Sequence, residues 1–359
     1  MDAVLMRSRH SLGAAAHRRL TAAAGVAPTF LSVVRSRNLC AAAAMAVKSS
    51  GESVAMEQYF RCVEECNRGR ERVCFLISFR FHQERRSEFL RFLVKGHTVG
   101  YIHPRFAALL EKFPQVFTVA TTSTGYASVE IHERLETPEQ RTTAVDDALR
   151  VLRRDGFIPG WRDEHYPVVL QFGSPAFFSL ERAAVPFFGT KAYGVHMNGY
   201  VTNYDGSKQL WVAKRSKRKQ TYPGYLDHLV AGGQPVGLSC SDNIVKECEE
   251  EAGIPKLLAE KAIPVGAVSY ETIYAEQCKR DVLFCYDLEL PLDFEPSNKD
   301  GEVECFRLDS IPNVVQSLGN YKPNCALVVV DFLFRHGYIR PEQQGYLNLV
   351  QKLKSGECL

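Results

Sequence analysis

Hydrophobic residues recur at helical spacing between residues 141 and 154. Positions three or four apart share one face of a helix, and the apolar residues with that spacing are Val145, Ala148, Leu149 and Leu152. Thr137-Pro138-Glu139 precedes them as a capping-type start signal, and Gly156 follows. The pattern predicts a helix over 141–154. The same reasoning predicts helices over 56–68, 104–113, 239–252, 309–317, 322–336 and 341–354.

Alternation of apolar and polar residues predicts short strands, most of them after Gly194. Strands over 195–201 and 209–214 flank the turn Tyr204-Asp205-Gly206. Later strands are predicted over 226–230, 263–273, 282–290 and 302–308, with the polar stretch 275–280 as a loop. Nearer the N-terminus the pattern predicts an extended segment over 92–102 with a turn at Gly96-His97, no assignment over 70–91, and a packed aromatic connector over 162–193.

The composition is ordinary for a soluble globular protein. With 359 residues, of which 45% are hydrophobic and 24% charged, the chain has room for about two domains. No apolar run approaches the roughly 18 residues that a membrane-spanning helix needs, so no membrane partner is expected. The 11 cysteines include no CxxC pair. We interpret them as reduced thiols, because the paired spacing of a zinc site is missing.

The first 50 residues differ from the rest of the chain. They hold seven basic residues against the single acidic residue Asp2, and they are rich in alanine and serine. This composition resembles an organellar transit peptide, so residues 1–50 are expected to be disordered. Without these residues the formal net charge changes from +3 to −3. A nearly neutral protein is not expected to bind nucleic acid through bulk charge.

A glycine-rich turn, Gly232-Gly233, precedes a short acidic helix that Gly253 ends. On this helix Glu247, Glu250 and Glu251 project from one side. A Glu-rich run alone is more often a solvated face. Clustered carboxylates nevertheless repel one another unless a cation lies among them, and oxygen ligands suit Mg²⁺ or Mn²⁺. The glycine turn can also bring a backbone carbonyl, that of Gly232, to the metal. The expected partner of such a site is a diphosphate.

The order of these residues resembles the Nudix box, G-x5-E-x7-R-E-U-x-E-E-x-G-U, in which U is aliphatic. The residues that match outright are Glu247, Glu250, Glu251, Gly253 and Ile254. Leu238 replaces the first glutamate of the box and Lys246 replaces its arginine. Lysine keeps the charge but loses the bidentate fork that orients a neighbouring glutamate. The loop counted from Gly233 is one residue shorter than in the commonest form.

Segments outside the box are similar to the plant and fungal Nudix hydrolases related to thiamine pyrophosphokinase. These segments are 177–183, 193–200, 210–215 and 227–235. The resemblance implies an α/β fold class, with an α/β/α sandwich and a mixed sheet over 176–359 and a smaller α+β domain over 54–175. Together with the leader, it implies a chloroplast or other plastid location, with the mitochondrion as the alternative.

The resemblance also implies an activity. It is the Mg²⁺-dependent hydrolysis of the diphosphate bond in oxidised (oxo and oxy) forms of thiamine diphosphate, which gives the monophosphate and phosphate. Glu247 is the first choice for the general base and Glu251 the second, while Glu302 and Glu304 could add a ligand or base. Three alternatives stay open: hydrolysis of nucleoside diphosphate derivatives, an inactive binding module, and an isopentenyl diphosphate isomerase-like enzyme.

Candidate substrate contacts come from strands that border the pocket in this fold and from a basic run. Trp211 could stack on an aromatic ring of the substrate. The other strand residues are His196, Asn198 and Tyr200, for which packing in the core is an equal alternative. Lys214 and Arg215 open the basic run 214–219. The sequence leaves the oligomeric state open.

Overall fold

A computed structural model describes residues 54–67, 87–123, 125–299 and 301–356 of the chain. These residues belong to one compact unit that begins at Gly51. The expected transit peptide over 1–50, and residues 70–86 of the unassigned segment, lie outside the described residues. The division into domains at residue 175 stays a prediction.

The first sheet has four strands in the spatial order β2-β1-β4-β3, with β1 and β4 parallel. The strands are β1 (Leu90–Val94), β2 (His97–Ile102), β3 (Phe117–Thr122) and β4 (Gly125–Ile131). The hairpin of β1 and β2 turns at Lys95-Gly96, one residue before the predicted Gly96-His97, and His97 begins β2. The sequence reasoning missed β3 and β4, since these strands are rich in small and polar residues and much of their surface is exposed.

Two helices pack against this sheet, α2 (Pro104–Leu110) and α3 (Pro138–Arg154). Thr137 begins α3 through a capping box, in which its Oγ1 accepts from the backbone N–H of Gln140 (3.2 Å) and Gln140 Oε1 accepts from the Thr137 N–H (3.2 Å). The four apolar residues that predicted this helix are all buried. The start signal was therefore correct, and the helix begins three residues earlier than the apolar pattern indicated.

The aromatic connector packs as predicted, and it also contains regular structure. Strands β5 (His165–Val168) and β6 (Phe178–Glu181) form a two-stranded ribbon, followed by a 3₁₀ turn (Arg182–Ala184) and the short helix α4 (Val185–Phe188). Phe178 and Phe188 are buried against Phe92 of β1, with ring centroids 6.3 and 5.0 Å apart. The connector is therefore part of the core of the first sheet.

The second sheet has seven strands and is mixed. The strands are β7 (Lys191–Thr202), β8 (Lys208–Arg215), β9 (Leu226–Asp227), β10 (Val230–Gly233), β11 (Ile263–Tyr274), β12 (Gln277–Glu289) and β13 (Val303–Ser310). The main order is β11-β12-β7-β8-β13, with β10 on β7 and β9 on β8. Only β7 and β12 pair in parallel among these described strands.

The predicted loop over 275–280 is wrong. Strands β11 and β12 continue to a two-residue turn at Ala275-Glu276, and Ala275 adopts φ 50° there. Residues 277–281 are polar, but Cys278 and Arg280 point inward and are buried. Because buried positions at the start of β12 carry polar residues, the alternation of apolar and polar residues did not reveal this part of the hairpin.

Helices cover both faces of the second sheet. Helices α5 (Cys240–Ala252) and α6 (Lys256–Ala259) pack on one face. The other face packs against α7 (Ile311–Ser317), α8 (Pro323–Arg335), α9 (Tyr346–Lys352) and helix α1, residues 54–67. This arrangement confirms the α/β fold class and the α/β/α sandwich. Among the described residues, no helix is both long and apolar enough to span a bilayer.

Candidate active site

Helix α5 carries the three clustered glutamates, and both of its ends are fixed. Ser239 Oγ caps the N-terminus by accepting a hydrogen bond from the backbone N–H of Asp242 (3.1 Å). Gly253 ends the helix at φ 63°, in the left-handed region that glycine adopts without strain. The predicted helix over 239–252 and its stop at Gly253 are confirmed.

Amide side chains brace the turn in front of α5. Asn243 Nδ2 donates to the carbonyl of Gly233 (2.7 Å) and to Gln234 Oε1 (3.1 Å). Gln234 Nε2 in turn donates to the carbonyl of Leu238 (2.5 Å). Asn243 and Gln234 are both buried. These bonds fix strand β10 relative to the first turn of α5, so the backbone sets where the glutamates stand.

Glu247 lies directly over Gly232. A Cβ atom at Gly232 would overlap the Cγ and carboxylate of Glu247, so only glycine leaves room for this side chain. Counted from Gly232, five residues precede Leu238, as in the consensus. Gly232 is therefore the glycine that begins the box. The apparent shortening of the loop arose from counting from Gly233.

The other two glutamates have different surroundings. Glu251 Oε2 accepts a hydrogen bond from the backbone N–H of Ala231 in β10 (2.8 Å). Glu250 is about half exposed, with 51% of its side-chain surface accessible, and its Oε2 lies 2.6 Å from Lys246 Nζ. Lys246 Nζ also lies 3.4 Å from Glu247 Oε1. Glu247 and Glu251 thus face the glycine strand, while Lys246 bridges Glu247 and Glu250.

The two glutamates nearest β10 have perturbed acidities. Burial and the charges of Glu250 and Glu164 raise the pKa of Glu247, against the opposing effect of Lys246. Burial and the charges of Glu247, Asp227 and Glu302 raise the pKa of Glu251 well above its ordinary value. Several carboxylates that disfavour one another's ionised forms are the arrangement expected where a cation belongs. Carboxylate oxygens are the ligand type that a hard divalent ion prefers. The carboxylate oxygens of Glu247, Glu250 and Glu251 do not all lie within 4.8 Å of one another in this structure.

Groups from two other parts of the chain flank the glutamates. Immediately before β13, Glu302 acts electrostatically on Glu251 and forms an ion pair with Lys219 of the basic run. From the β5–β6 ribbon, the Tyr166 hydroxyl lies against the α-carbon of Gly233. Arg182 Nη1 lies 2.7 Å from Glu164 Oε2, and its guanidinium lies 5.6 Å from the centroid of the Tyr166 ring. The site is thus bordered by both halves of the chain.

The predicted substrate contacts fall on two sides of the second sheet. Trp211 packs with the cluster on the α5 face, where the glutamates are. His196, Asn198 and Tyr200 alternate with β7 residues of that cluster. Tyr200 contacts Phe332 of α8, with ring centroids 5.7 Å apart. Asn198 is fully buried, and its amide has no hydrogen-bond partner among the residues that the structure describes. The sheet therefore separates Tyr200 from α5.

The two basic candidates are both in ion pairs. Lys214 Nζ lies 3.1 Å from Glu304 Oε1 at the surface. Arg215 is buried, and its guanidinium contacts Asp227 Oδ2 (2.9 Å) and donates to the carbonyls of Thr221 (3.0 Å) and Tyr222 (3.2 Å). In this position Arg215 holds the start of the basic run against β9.

Three buried ligand-type side chains meet at the α8 face: the ligand atoms of His196, His228 and Cys325 all lie within 4.8 Å of one another. His196 Nδ1 is 3.0 Å from His228 Nε2, and His228 Nδ1 is 3.0 Å from Asp227 Oδ1. Burial and the positive charges of His228 and Lys322 lower the pKa of His196. The two ring nitrogens lie within hydrogen-bond distance, so one of them donates and the other accepts.

Sequence reasoning did not single out several residues of this neighbourhood. They are Glu164, Tyr166, Arg182, Asp227 and Asn243. Glu164, Tyr166 and Arg182 lie in the connector. Its aromatic content indicated that the connector is packed, but did not indicate that it packs against the glycine turn. Asn243 lies in the first turn of α5 and is buried, and its mostly polar neighbours in the sequence gave no signal of that burial.

Comparison with known proteins finds a family model and relatives that match this chain. A family model described as "Domain of unknown function (DUF4743)" matches residues 58–192. The chain is 51% identical over 309 residues to "Nudix hydrolase 20, chloroplastic" of Arabidopsis thaliana, which covers 84% of this chain and 78% of that protein. "Nudix hydrolase 24, chloroplastic" of the same plant is 50% identical over 299 residues, covering 82% of this chain and 77% of its own length.

Two solved structures are also similar to part of the chain. An Ap4A hydrolase of C. elegans matches at 14% identity with a TM-score of 0.31, covering 41% of this chain and 98% of that one. The M. smegmatis Nudix hydrolase RenU matches at 16% identity with a TM-score of 0.31, covering 42% and 87%.

The two plant relatives settle the class of protein. The chain belongs to the Nudix hydrolase family, and it is an enzyme of the pyrophosphohydrolase type. The resemblance to this family that the box indicated is confirmed.

Proposed function

We propose that this enzyme hydrolyses the diphosphate bond of a small molecule at the site formed by Glu247, Glu250 and Glu251, with oxidised thiamine diphosphate as the substrate. The observation that supports this site most directly is the packing of Glu247 on Gly232. It places a carboxylate against a bare glycine backbone, and a second one, Glu251, on the adjacent strand residue Ala231.

In the proposed site Glu247, Glu250 and Glu251, together with the carbonyl of Gly232, would hold Mg²⁺ or Mn²⁺. Such an ion, when bound, neutralises diphosphate charge and makes water more acidic. Glu247 and Glu251 suit this role because their pKa values are raised in the protein alone, so a cation relieves their mutual repulsion.

The chain's own residues have separate proposed roles. Glu247 takes the proton from the attacking water, since Lys246 and Gly232 hold its carboxylate in place. Glu251 is the second choice for the base, and its hydrogen bond from Ala231 suits a fixed ligand. Trp211 stacks on the organic part of the substrate, because it lies on the α5 face. His196, Asn198 and Tyr200 act through packing, while Lys214 and Arg215 order the basic run.

The location is proposed to be the plastid. The names of both plant relatives include the word chloroplastic, and the Arg-, Ser- and Ala-rich leader fits that destination. The domain boundary at residue 175 and the thiamine-related subfamily are proposed on the sequence resemblance.

Hydrolysis of a panel of diphosphates, followed by chromatography of the products, tests the proposal. The panel contains thiamine diphosphate, its oxo and oxy forms, and ADP-ribose, each with Mg²⁺. Wild type is compared with Glu247→Gln and Glu251→Gln, which we expect to lower kcat by about 10²- to 10⁴-fold. Glu249→Gln is the matched control, since Glu249 lies exposed on the same helix.

Two results would overturn different parts of the proposal. Equal rates for wild type, Glu247→Gln and Glu251→Gln would remove the site assignment. Faster hydrolysis of ADP-ribose than of every thiamine compound would favour the nucleoside diphosphate alternative. For the isomerase alternative, Cys248 of α5 does not suit a catalytic role, because it is buried and burial raises its pKa to about 12.

A further inference from the structure

We propose that Arg182 is a diphosphate-binding residue of the active site, positioned by Glu164, and that the region matched by the DUF4743 model thereby completes the pocket. This inference rests on the proposed function, because it names a group that contacts the substrate hydrolysed there. Both residues lie within the matched segment 58–192 and outside the box.

The β5–β6 ribbon is fastened to the glycine turn. The backbone N–H of Val236 donates to the carbonyl of His165 in β5 (3.1 Å). The Tyr166 hydroxyl lies so close to Gly233 that a Cβ atom there would overlap it. Tyr166 is buried. The ribbon is therefore held at the residue next to Gly232, over which Glu247 lies.

Arg182 is carried at the end of this ribbon on a fixed backbone. Its N–H donates to the carbonyl of Glu164 (2.8 Å). The neighbouring Glu181 is fully buried, and its Oε1 accepts from the N–H groups of Ala183 (3.1 Å) and Arg162 (2.9 Å). These hydrogen bonds thus hold in place the backbone from which the Arg182 side chain projects.

The guanidinium itself is held on one side only. Nη1 lies 2.7 Å from Glu164 Oε2, and the group sits over the Tyr166 ring at 5.6 Å. The side chain remains 45% exposed. Its other N–H groups have no hydrogen-bond partner within the described part of the chain. A guanidinium with free donors at a fixed position suits the bidentate recognition of phosphate oxygens.

The charge of Glu247 acts on the guanidinium of Arg182. Burial lowers the pKa of Arg182, while Tyr166, Glu164 and Glu247 raise it, and the net change is upward. A chain of contacts also runs from Arg182 through Tyr166 and Gly233 to Gly232 and Glu247. The cluster of glutamates repels a diphosphate, so a nearby fixed cation would offset part of that repulsion.

Binding of methylenediphosphonate, a diphosphate that cannot be hydrolysed, tests the inference with the full chain. Its Kd is measured by calorimetry with Mg²⁺ for wild type, Arg182→Gln, Arg182→Lys and Glu164→Gln. We expect Arg182→Gln to bind about 10- to 100-fold more weakly. Arg182→Lys should recover part of the loss, and Glu164→Gln should lose less than Arg182→Gln.

Arg162→Gln is the matched control, because Arg162 is an exposed arginine close to the same ribbon. It should bind like wild type. For the diphosphate that wild type hydrolyses fastest, Arg182→Gln should raise KM more than it lowers kcat. Thermal melting of each variant shows whether it is folded, and the partial recovery by lysine separates a lost charge from a lost fold.

The outcomes separate this inference from the proposed function. If wild type hydrolyses a diphosphate and Arg182→Gln binds methylenediphosphonate within twofold of wild type, only the role of Arg182 is overturned. If wild type neither binds methylenediphosphonate nor hydrolyses any diphosphate, both proposals fail. Equal weakening by Arg162→Gln would show a general charge effect and would also overturn the inference.

Discussion

At the scale of single residues, the three glutamates share a helix face but not an environment. Spacing alone placed Glu247, Glu250 and Glu251 together, and the structure brings them to one side of α5. Spacing could not show that Glu251 accepts a bond from Ala231, because that residue belongs to a strand 20 residues away in the chain. Glu250 pairs with Lys246, which lies four residues away on the same helix. Predicting roles for each glutamate therefore needs the fold.

The raised pKa of Glu251 predicts a pH-dependent stability. A carboxyl group whose pKa in the folded protein exceeds its ordinary value of 4.5 binds its proton more tightly when folded. Its stabilising contribution is therefore complete below pH 4.5 and is lost as the pH rises through the folded-state pKa. We expect the Tm of the metal-free protein to fall as the pH rises from 5 to 8. Added Mg²⁺ should raise the Tm most at pH 8.

Melting curves with EDTA or with Mg²⁺ at several pH values check this. In Glu251→Gln the pH-dependent loss and the Mg²⁺ effect should both shrink, whereas Glu249→Gln should behave like wild type. An Mg²⁺ effect of the same size at pH 5 and pH 8 would contradict the argument.

At the scale of elements, the unit that makes the site is strand β10, its turn and helix α5. Local signals fixed this unit well: Ser239 and Gly253 mark the ends of the helix, and glycines mark the turn. Elsewhere local signals failed. Strands β3 and β4 were missed, and the β11–β12 hairpin was cut short, because residues such as Arg280 are polar and yet buried. Partners across the sheet decide such positions, and periodicity does not contain them.

Gly232→Ala tests the fit between strand β10 and helix α5. The added Cβ would overlap the Glu247 side chain, which must move to accommodate it. Because a misplacement of about 1 Å can cost about 10²-fold in rate, we expect kcat to fall by roughly that factor. Measurement of kcat checks this loss of rate. Melting curves should show only a small change in Tm.

Gly319→Ala is the control for this substitution, since a Cβ atom at Gly319 meets no atom within 4 Å. Its activity should equal that of wild type. A Gly232→Ala enzyme with unchanged kcat would mean that Glu247 can shift without consequence, and that its position over the glycine is not needed for catalysis.

At the scale of the whole molecule, residues distant in sequence complete both the core and the site. Helix α1 buries apolar residues in the cluster on the α8 face of the second sheet, although the first sheet follows it in the chain. Glu64 Oε1 on α1 lies 2.8 Å from Lys352 Nζ on α9. Tyr166 similarly reaches the box from the connector, where its hydroxyl lies against Gly233. Amino-acid patterns report local structure, so neither connection could be predicted from the sequence.

Removal of α1 should therefore damage the second sheet, while removal of the leader should not. A chain that begins at Gly51 keeps the whole compact unit, and we expect its Tm and kcat/KM to match those of the full chain. A chain that begins at residue 68 loses the buried side chains of Met56, Tyr59 and Val63. It should melt at a much lower temperature or fail to fold.

A point substitution separates the packing of α1 from the effect of truncation. Val63 is fully buried in the α8-side cluster. Val63→Ala removes two methyl groups from it and should cost roughly 2 kcal/mol of unfolding free energy. Denaturant titration measures this. If Val63→Ala and the chain from residue 68 are both as stable as the chain from Gly51, then α1 contributes nothing to the second core. The compact unit would then have to begin after α1, and residues 54–67 would belong with the leader.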